Sequence, residues 1–278
     1  MAGRQKRIAI VNDVTGFGRC SAAVELPLVS ALKVQGCILP TALLSVHSGF
    51  PDFWQMDLTA AMRPYLDSWK ANGLRFDGFL TGWIGSSAQV DFVMEAIRDL
   101  AEPGATVVVD PVMGDYGRLY ASYTPEMCAK MRELLAVADV VTPNLTEACQ
   151  LLGREYPAGG LVSDAELGEM AAALSARGPR RIVVTGLAAE SAGTIRNYVW
   201  ERGQKPETVS VERIGGDRSG NGDAFASILA ASLVKGEALV PSVRKAVEFI
   251  RKVLVRTVDM GLPWNHGLAF EECLVELR

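Results

Sequence analysis

The chain reads as an α/β domain with a mainly parallel central sheet and an antiparallel edge, and three observations lead there. Short β-branched runs alternate with amphipathic helical segments through the first two thirds of its 278 residues. Many of these runs end in a polar residue or a glycine (Asn12, Thr41, Gly82, Asp110, Thr142, Thr185), as strands do when their ends share a ligand-binding rim. Two late runs, Ile195–Trp200 and Glu207–Glu212, read as an antiparallel pair.

Taken in order, Arg7–Asn12 is a buried first strand, followed by a polar turn Asp13–Arg19 and a helix over 21–34. The Gly16-x-Gly18 of that turn lacks the third glycine and the acidic residue of a dinucleotide fingerprint, so a Rossmann site is discounted. Cys37–Leu44 is the second strand, and Ser45–Trp54 is a loop rich in hydroxyl, aromatic and glycine residues, suited to lining a pocket. A helix over 58–71, a strand Asp77–Thr81 and a helix over 88–100 come next. The strand Thr106–Asp110 ends in Asp110-Pro-Val-Met-Gly-Asp115, which brings two carboxylates to a strand end and the loop beyond. A helix over 124–136 has proline in its first turn, and a short strand Ala138–Thr142 leads into Pro143-Asn-Leu-Thr-Glu147 at a helix start. There Asn144 and Glu147, three apart, share a helical face. A helix over 165–176, a strand Arg181–Thr185, the antiparallel pair and helices over 224–234 and 240–255 complete the reading.

Composition sets the outer limits. With 49% hydrophobic and 22% charged residues the chain can fill one large core, so residues 1–278 are expected to form a single domain. A net charge of −4 and a pI near 5.4 argue against a nucleic-acid or anionic-membrane partner. The five cysteines are scattered without a Cys-x-x-Cys pair and there are two histidines, so neither a disulfide framework nor a zinc site is expected, and a reducing cytoplasm is. The apolar run Ile8–Val11 is too short for a signal peptide or a membrane span.

The stretch Arg213–Ile228 carries the chemistry. A glycine-rich turn runs straight into a helix whose apolar residues Phe225, Ile228, Leu229 and Leu233 fall at helical spacing. Gly220, Asn221 and Gly222 then present backbone N–H groups at a helix N-terminus, which makes an anion site. A carboxylate at Asp223 competes with a bound phosphate; it makes sense if it takes a proton from a hydroxyl that attacks the phosphate. The plainer alternative is a helix cap.

Three blocks, Asp110-Pro-Val-Met-Gly-Asp115, Thr142-Pro-Asn-Leu-Thr-Glu147 and Gly220-Asn-Gly-Asp223, in this order and spacing resemble the ribokinase-like superfamily and its vitamin-kinase branch. Within that branch, Thr41-Ala-Leu-Leu-Ser-Val-His-Ser-Gly-Phe50 and Thr81-Gly-Trp-Ile-Gly-Ser86 are most similar to pyridoxal and pyridoxamine kinases, and the resemblance spans nearly the whole chain. It implies a three-layer α/β/α fold, a homodimer, and transfer of the ATP γ-phosphate to the hydroxymethyl group of a B6 vitamer. Asp223 would be the general base, with the N–H groups of Gly220, Asn221 and Gly222 stabilising the transferring phosphoryl group. Asp110 and Glu147 would hold Mg²⁺ through water, and a monovalent cation is a further candidate cofactor. Thr142, Asn144 and Thr185 match nucleotide-site positions. Asn12, Asp13 and Thr41 match positions facing the vitamer ring, with Ser45, His47 and Trp83 as further wall residues.

Two departures stand out: Asn221 occupies a position where the family carries Ala, Thr or Val, and Asn12 one where many pyridoxal kinases carry Ser. The rival readings are a hydroxymethylpyrimidine kinase, whose Gly-Gly-Ala-Gly-like run after the first strand is missing here, and a non-catalytic vitamer or nucleotide binder. A binder has no need of a base.

Overall fold

The computed structural model describes residues 4–189 and 193–277. The strands are β1 (Arg7–Phe17), β2 (Gln35–Val46), β3 (Gln55–Asp57), β4 (Phe76–Thr81), β5 (Ala101–Val109), β6 (Gly114–Asp115), β7 (Arg118–Leu119), β8 (Val140–Val141), β9 (Arg181–Ala188), β10 (Thr194–Glu201) and β11 (Glu207–Glu212). The helices are α1 (Ala22–Ala31), α2 (Thr59–Ala71), α3 (Ser87–Leu100), α4 (Pro125–Met131), α5 (Leu145–Leu152), α6 (Asp164–Ser175), α7 (Asn221–Val234) and α8 (Leu239–Asp259). The main sheet runs β11-β10-β9-β8-β5-β4-β1-β2-β3, parallel from β9 to β2.

Alternate residues of each strand feed two cores. Ile8, Ile10, Leu80, Val108 and Val183 face a layer formed by Val24 and Leu28 of α1, Phe225 and Ile228 of α7, and Val243 and Phe249 of α8. Ala9, Val11, Phe79, Val107, Val109 and Ile182 face the opposite layer, with Met62 and Leu66 of α2, Val93 of α3, Met127 of α4, Leu151 of α5 and Leu167 of α6. Burial on both faces is why these strands read as continuous apolar runs. Ile8 and Ile10 are completely buried, each stabilising the fold by roughly 1.5–3 kcal/mol through area removed from water. The result is the expected three-layer α/β/α fold with its antiparallel edge at β10–β11.

Several elements differ from expectation. The polar run after Asn12 is strand through Phe17: beyond a bulge, Val14 pairs with Leu43, Thr15 with Leu44 and Phe17 with Val46. Ladder pairing along an equally long β2 outweighs the local turn preference of Gly16. β2 likewise continues past Leu44 and takes the short antiparallel β3 on its outer side, a second antiparallel edge. The β6–β7 hairpin turns on Tyr116 (φ 50°) and Gly117 (φ 76°), a two-residue turn with both central residues at positive φ. Tyrosine is an unusual choice there, so the sequence carried no Asn-Gly or Asp-Gly signal. The helix expected over 124–136 is α-helical to Met131 and then tightens to a 3₁₀ turn over Arg132–Val137. Among the described residues no helix is long and apolar enough to cross a membrane.

At Gly78 the last residue of α7 packs tightly on the sheet: a Cβ there would lie 2.5 Å from Val234 Cγ2 and 3.0 Å from the Thr106 carbonyl oxygen. Gly78→Ala should therefore destabilise the protein by about 1–3 kcal/mol, the usual cost of overpacking, seen as a lower urea midpoint at unchanged slope.

Candidate active site

The N-terminus of α7 meets the C-terminal rim of the parallel strands. Gly220 caps the helix with φ 84°, and a Cβ on it would sit 2.2 Å from the Arg19 carbonyl oxygen, so only glycine fits the turn. The N–H groups of Asn221 and Gly222 fall in the first turn, where they have no intrahelical acceptor. One residue on, the Asp223 carboxylate is held at both oxygens: Oδ1 accepts from Asn12 Nδ2 at 3.2 Å and Oδ2 from the Ser21 N–H at 2.8 Å. Burial, reinforced by the charge of Asp13, pushes Asp223 up to about 6 against the pull of these two donors, although its side chain keeps some contact with solvent. The N-cap of α7 is Gly220, with no side-chain cap hydrogen bond, and besides the Asn12 and Ser21 donors the Asp223 carboxyl is lowered by its own backbone N–H.

Asn12 and Asp13 sit at the bulge in β1, which turns two successive polar side chains into the site. The Asn12 Oδ1 accepts from the N–H groups of Asp13 and Trp83, both at 2.9 Å, which orients its amide toward Asp223. Gly82 permits this, since a Cβ there would lie 2.2 Å from Asn12 Nδ2. Asp13 accepts from Thr15 Oγ1 at 2.6 Å and Ser21 Oγ at 2.7 Å, and burial raises its carboxyl.

A second carboxylate pair lies across the rim. Asp110, at the end of β5, accepts from Thr142 Oγ1 at 3.1 Å, and its Oδ2 lies 3.7 Å from where a Cβ on Gly222 would be. Glu147 and Asn144 form a capping box on α5: Asn144 Oδ1 accepts from the Glu147 N–H at 2.9 Å, and Glu147 Oε2 accepts from the Asn144 N–H at 2.8 Å. Glu147 Oε1 takes the Met113 N–H at 3.1 Å. Both carboxyls are raised, chiefly by burial, Asp110 further by Asp223 and Glu147 further by Asp110. Among the described residues no ion pair relieves either one.

Carboxyls left without a counter-ion fit a cation. Among the described residues no group of three or more His, Cys, Asp or Glu could hold a metal ion by itself. Two acidic side chains with the remaining positions open to water and phosphate suit Mg²⁺, which keeps much of its hydration shell.

A cleft extends from α7 along the antiparallel edge. It is lined by Thr185, Ile195 and Val211 of the sheet, Asn221, Gly222 and Phe225 of α7, and Val247, Ile250 and Leu254 of α8. Its apolar walls suit a flat heteroaromatic ring, and its end at the α7 N–H groups suits the phosphates attached to one. The side-chain oxygen of Asn221 is buried here with no hydrogen-bond partner among the described residues.

Other expected site residues serve at one remove. Thr41 is fully buried and donates to the Trp83 carbonyl oxygen at 3.0 Å, so its hydroxyl supports the half-buried Trp83 instead of facing a pocket. Ser45 Oγ accepts from the Trp54 N–H at 2.9 Å and pins the loop before β3. His47 accepts from the Gly49 N–H at 3.0 Å on Nδ1, which leaves Nε2 protonated to donate to the Asn265 carbonyl oxygen at 2.8 Å. Both its nitrogens are therefore committed within the chain. Thr142 and Asn144 likewise use their side chains on Asp110, Glu147 and the Gly114 carbonyl oxygen, Asn144 Nδ2 donating to the last at 2.7 Å. Cys20 is buried beside Asp223, and burial with that charge pushes its thiol up to about 12, leaving it inert. Arg218 donates to the Leu262 carbonyl oxygen. Sequence reasoning missed Ser21, Glu25 and the cleft walls; only the alternation of apolar residues in β10 and β11 hinted at the last.

Comparisons with known proteins bear on the family and the fold. The family model described as phosphomethylpyrimidine kinase matches residues 26–267. A pyridoxal kinase of Arabidopsis thaliana is 32% identical over 224 residues, 77% of this chain and 70% of that protein. A hydroxymethylpyrimidine/phosphomethylpyrimidine kinase of Streptomyces coelicolor is 28% identical over 263 residues, 92% of each. Crystal structures of a Bacteroides thetaiotaomicron protein, provisionally named a phosphomethylpyrimidine kinase, superpose with a TM-score of 0.95 at 35% identity over 100% of this chain and 95% of that one. An orthorhombic form of it with pyridoxal gives 0.93 at 35% identity, covering 99% and 96%. By sequence, fold and the residues gathered at its rim, this chain belongs to the pyridoxal and phosphomethylpyrimidine kinase family of the ribokinase-like superfamily.

Proposed function

We propose that this protein is an ATP- and Mg²⁺-dependent kinase that phosphorylates the hydroxymethyl group of a B6 vitamer, with Asp223 as general base. The observation that carries the reading is the position of Asp223, one residue beyond the first-turn N–H groups of the Gly220 turn and held at both oxygens. A hydroxyl oxygen brought to the γ-phosphorus there forms the new P–O bond as the bond to the β-phosphate breaks, ADP leaves, and the hydroxyl proton passes to Asp223. The first-turn N–H groups of α7 stabilise charge on the transferring group without reorganising. Mg²⁺, when bound, neutralises charge on the phosphates; Asp110 and Glu147 would hold it through water, with Thr142 and Asn144 keeping those carboxyls oriented. The apolar cleft from Thr185 to Leu254 receives the nucleotide base.

The B6 reading is supported by the Arabidopsis relative and by the pyridoxal in the Bacteroides neighbour. Hydroxymethylpyrimidine is the second candidate, favoured by the family model and the Streptomyces relative, and it needs the same base and anion site. A fixed carboxylate poised near neutral pH argues for turnover over a sensor, for which such a group has no use.

The deciding assay offers ATP, Mg²⁺ and, in parallel, pyridoxal, pyridoxamine, pyridoxine and hydroxymethylpyrimidine to the purified protein. A B6 vitamer should have the highest kcat/KM, and Asp223→Ala should cut kcat by about 10²–10⁴, the range for losing a general base. Turnover of the pyrimidine alone would transfer the mechanism to that substrate, and tight binding without turnover would identify a sensor. The base must be ionised to work, so kcat/KM should fall as pH drops through about 6, where Asp223 protonates, and level off above it. Glu147→Gln should raise the Mg²⁺ concentration needed for half-maximal rate, read by metal titration at saturating ATP.

A further inference from the structure

Ser21 stands immediately before α1, where a serine ordinarily turns its hydroxyl onto the N–H groups of the first helical turn. Here it makes no such cap: its Oγ donates to Asp13 Oδ1 at 2.7 Å instead, and its backbone lies at φ 54°, ψ −144°. That is the mirror image of an extended conformation, open to glycine and avoided by residues with a Cβ. A lost cap and a strained backbone both cost folding free energy, so stability alone would favour glycine here, or a capping serine at ordinary φ. Arg19 is also at positive φ, 43°, and the turn that it shares with Ser21 is held from outside. Ser219 Oγ donates to the Gly18 carbonyl oxygen at 3.1 Å, and Arg19 Nη1 donates to the His266 carbonyl oxygen at 3.2 Å. Gly220 and Gly267 press on the same turn, where a Cβ on either would lie 2.2 Å and 2.6 Å from the Arg19 carbonyl oxygen.

We propose that Ser21 is a positioning residue for the base: its hydroxyl, anchored on Asp13, holds the Cys20–Ser21 peptide in a strained orientation that aims the Ser21 N–H at Asp223. That N–H reaches Asp223 Oδ2 at 2.8 Å. Flipping the peptide would relax φ to a negative value, but it would also swing the Cys20 carbonyl oxygen toward the side the N–H now faces, setting an acceptor against a carboxylate. The bond from the Ser21 hydroxyl to Asp13 opposes that flip. Asp13 is fixed in its turn, because its other oxygen takes the Thr15 hydroxyl at 2.6 Å. Ser21 and Asp13 are 7% and 5% exposed, so water is poorly placed to substitute for either bond. With Asn12 Nδ2 on Oδ1 at 3.2 Å, the Asp223 carboxyl is then held from two elements of the fold, β1 and the turn before α1.

This inference rests on the kinase reading, and the test separates the two. Ser21→Ala keeps the Cβ that strains the turn and removes the hydroxyl that holds it. With wild-type turnover established, its kcat should fall about tenfold or more with KM for ATP and vitamer within about twofold, because a small displacement of a reacting group is costly while binding is untouched. Ser21→Gly also lacks the hydroxyl but adopts φ 54° freely, so its kcat should stay within about threefold of wild type. A serine acting through its hydroxyl or its packing alone would make the two variants equal, or glycine the worse. Either result, or an Ala variant as active as the Gly one, would overturn the proposal. A crystal structure of Ser21→Ala needs no activity: a flipped Cys20–Ser21 peptide, with Asp223 released from the N–H of residue 21, supports the role. An unmoved peptide refutes it, whether or not the wild type phosphorylates any vitamer. If Ser21→Ala does not fold, Ser21→Cys, which keeps the Cβ and weakens the bond to Asp13, takes its place: a kcat below that of the Gly variant supports the proposal, and one at or above it overturns it.

Discussion

A set of buried carboxyls gathered at one rim of the sheet is the constraint around which this molecule is arranged. Asp13, Glu25, Asp110, Glu147 and Asp223 converge there, each with its proton affinity raised mainly by burial. Such a cluster costs folding free energy and persists only where other features hold it. Backbone N–H groups do much of that work: Ser21 on Asp223, Met113 and Asn144 on Glu147. Among the described residues none of these five carboxyls forms an ion pair. A phosphate with its metal brings both signs at once, the metal to Asp110 and Glu147, the phosphate oxygens to the α7 N-terminus.

The two cores make that rim rigid. Alternating residues of β1, β4, β5 and β9 are locked into layers on opposite faces, so the strand ends that carry Asn12, Gly82 and Asp110 cannot shift independently. On this base the asparagines act as joints. Asn12 ties β1 to Trp83 and Asp223, and Asn144 ties α5 to Gly114 while capping its own helix. A carboxamide has both donors and acceptors, so it can fix a carboxylate without contributing charge. That property explains why neutral amides stand beside the acids of this site.

Legibility in the sequence followed the range of the forces involved. The shared helical face of Asn144 and Glu147 was readable because they are three residues apart, and the anion turn because Gly220 directly precedes a helical pattern. The extension of β1 was not readable: Gly16 and Gly18 argue locally for a turn, and only pairing with Leu43, Leu44 and Val46 outweighs them. Thr41 and His47 lie at strand-end and loop positions that the family resemblance assigns to a substrate wall. Their hydroxyl and imidazole groups are engaged by the carbonyl oxygens of Trp83 and Asn265, 42 and 218 residues away. Such partners have no signature in the chain.

The sequence by itself determined the parallel sheet, the order of its helices, the anion turn and the identity of the acids, because periodicity, capping and glycine turns act between residues a few positions apart. Tertiary structure decided which of those acids face one another and how far each, Glu25 included, is removed from water. Those are consequences of bringing residues 12, 25, 110, 147 and 223 to one rim, and proton affinity depends on that three-dimensional neighbourhood, which no local pattern encodes.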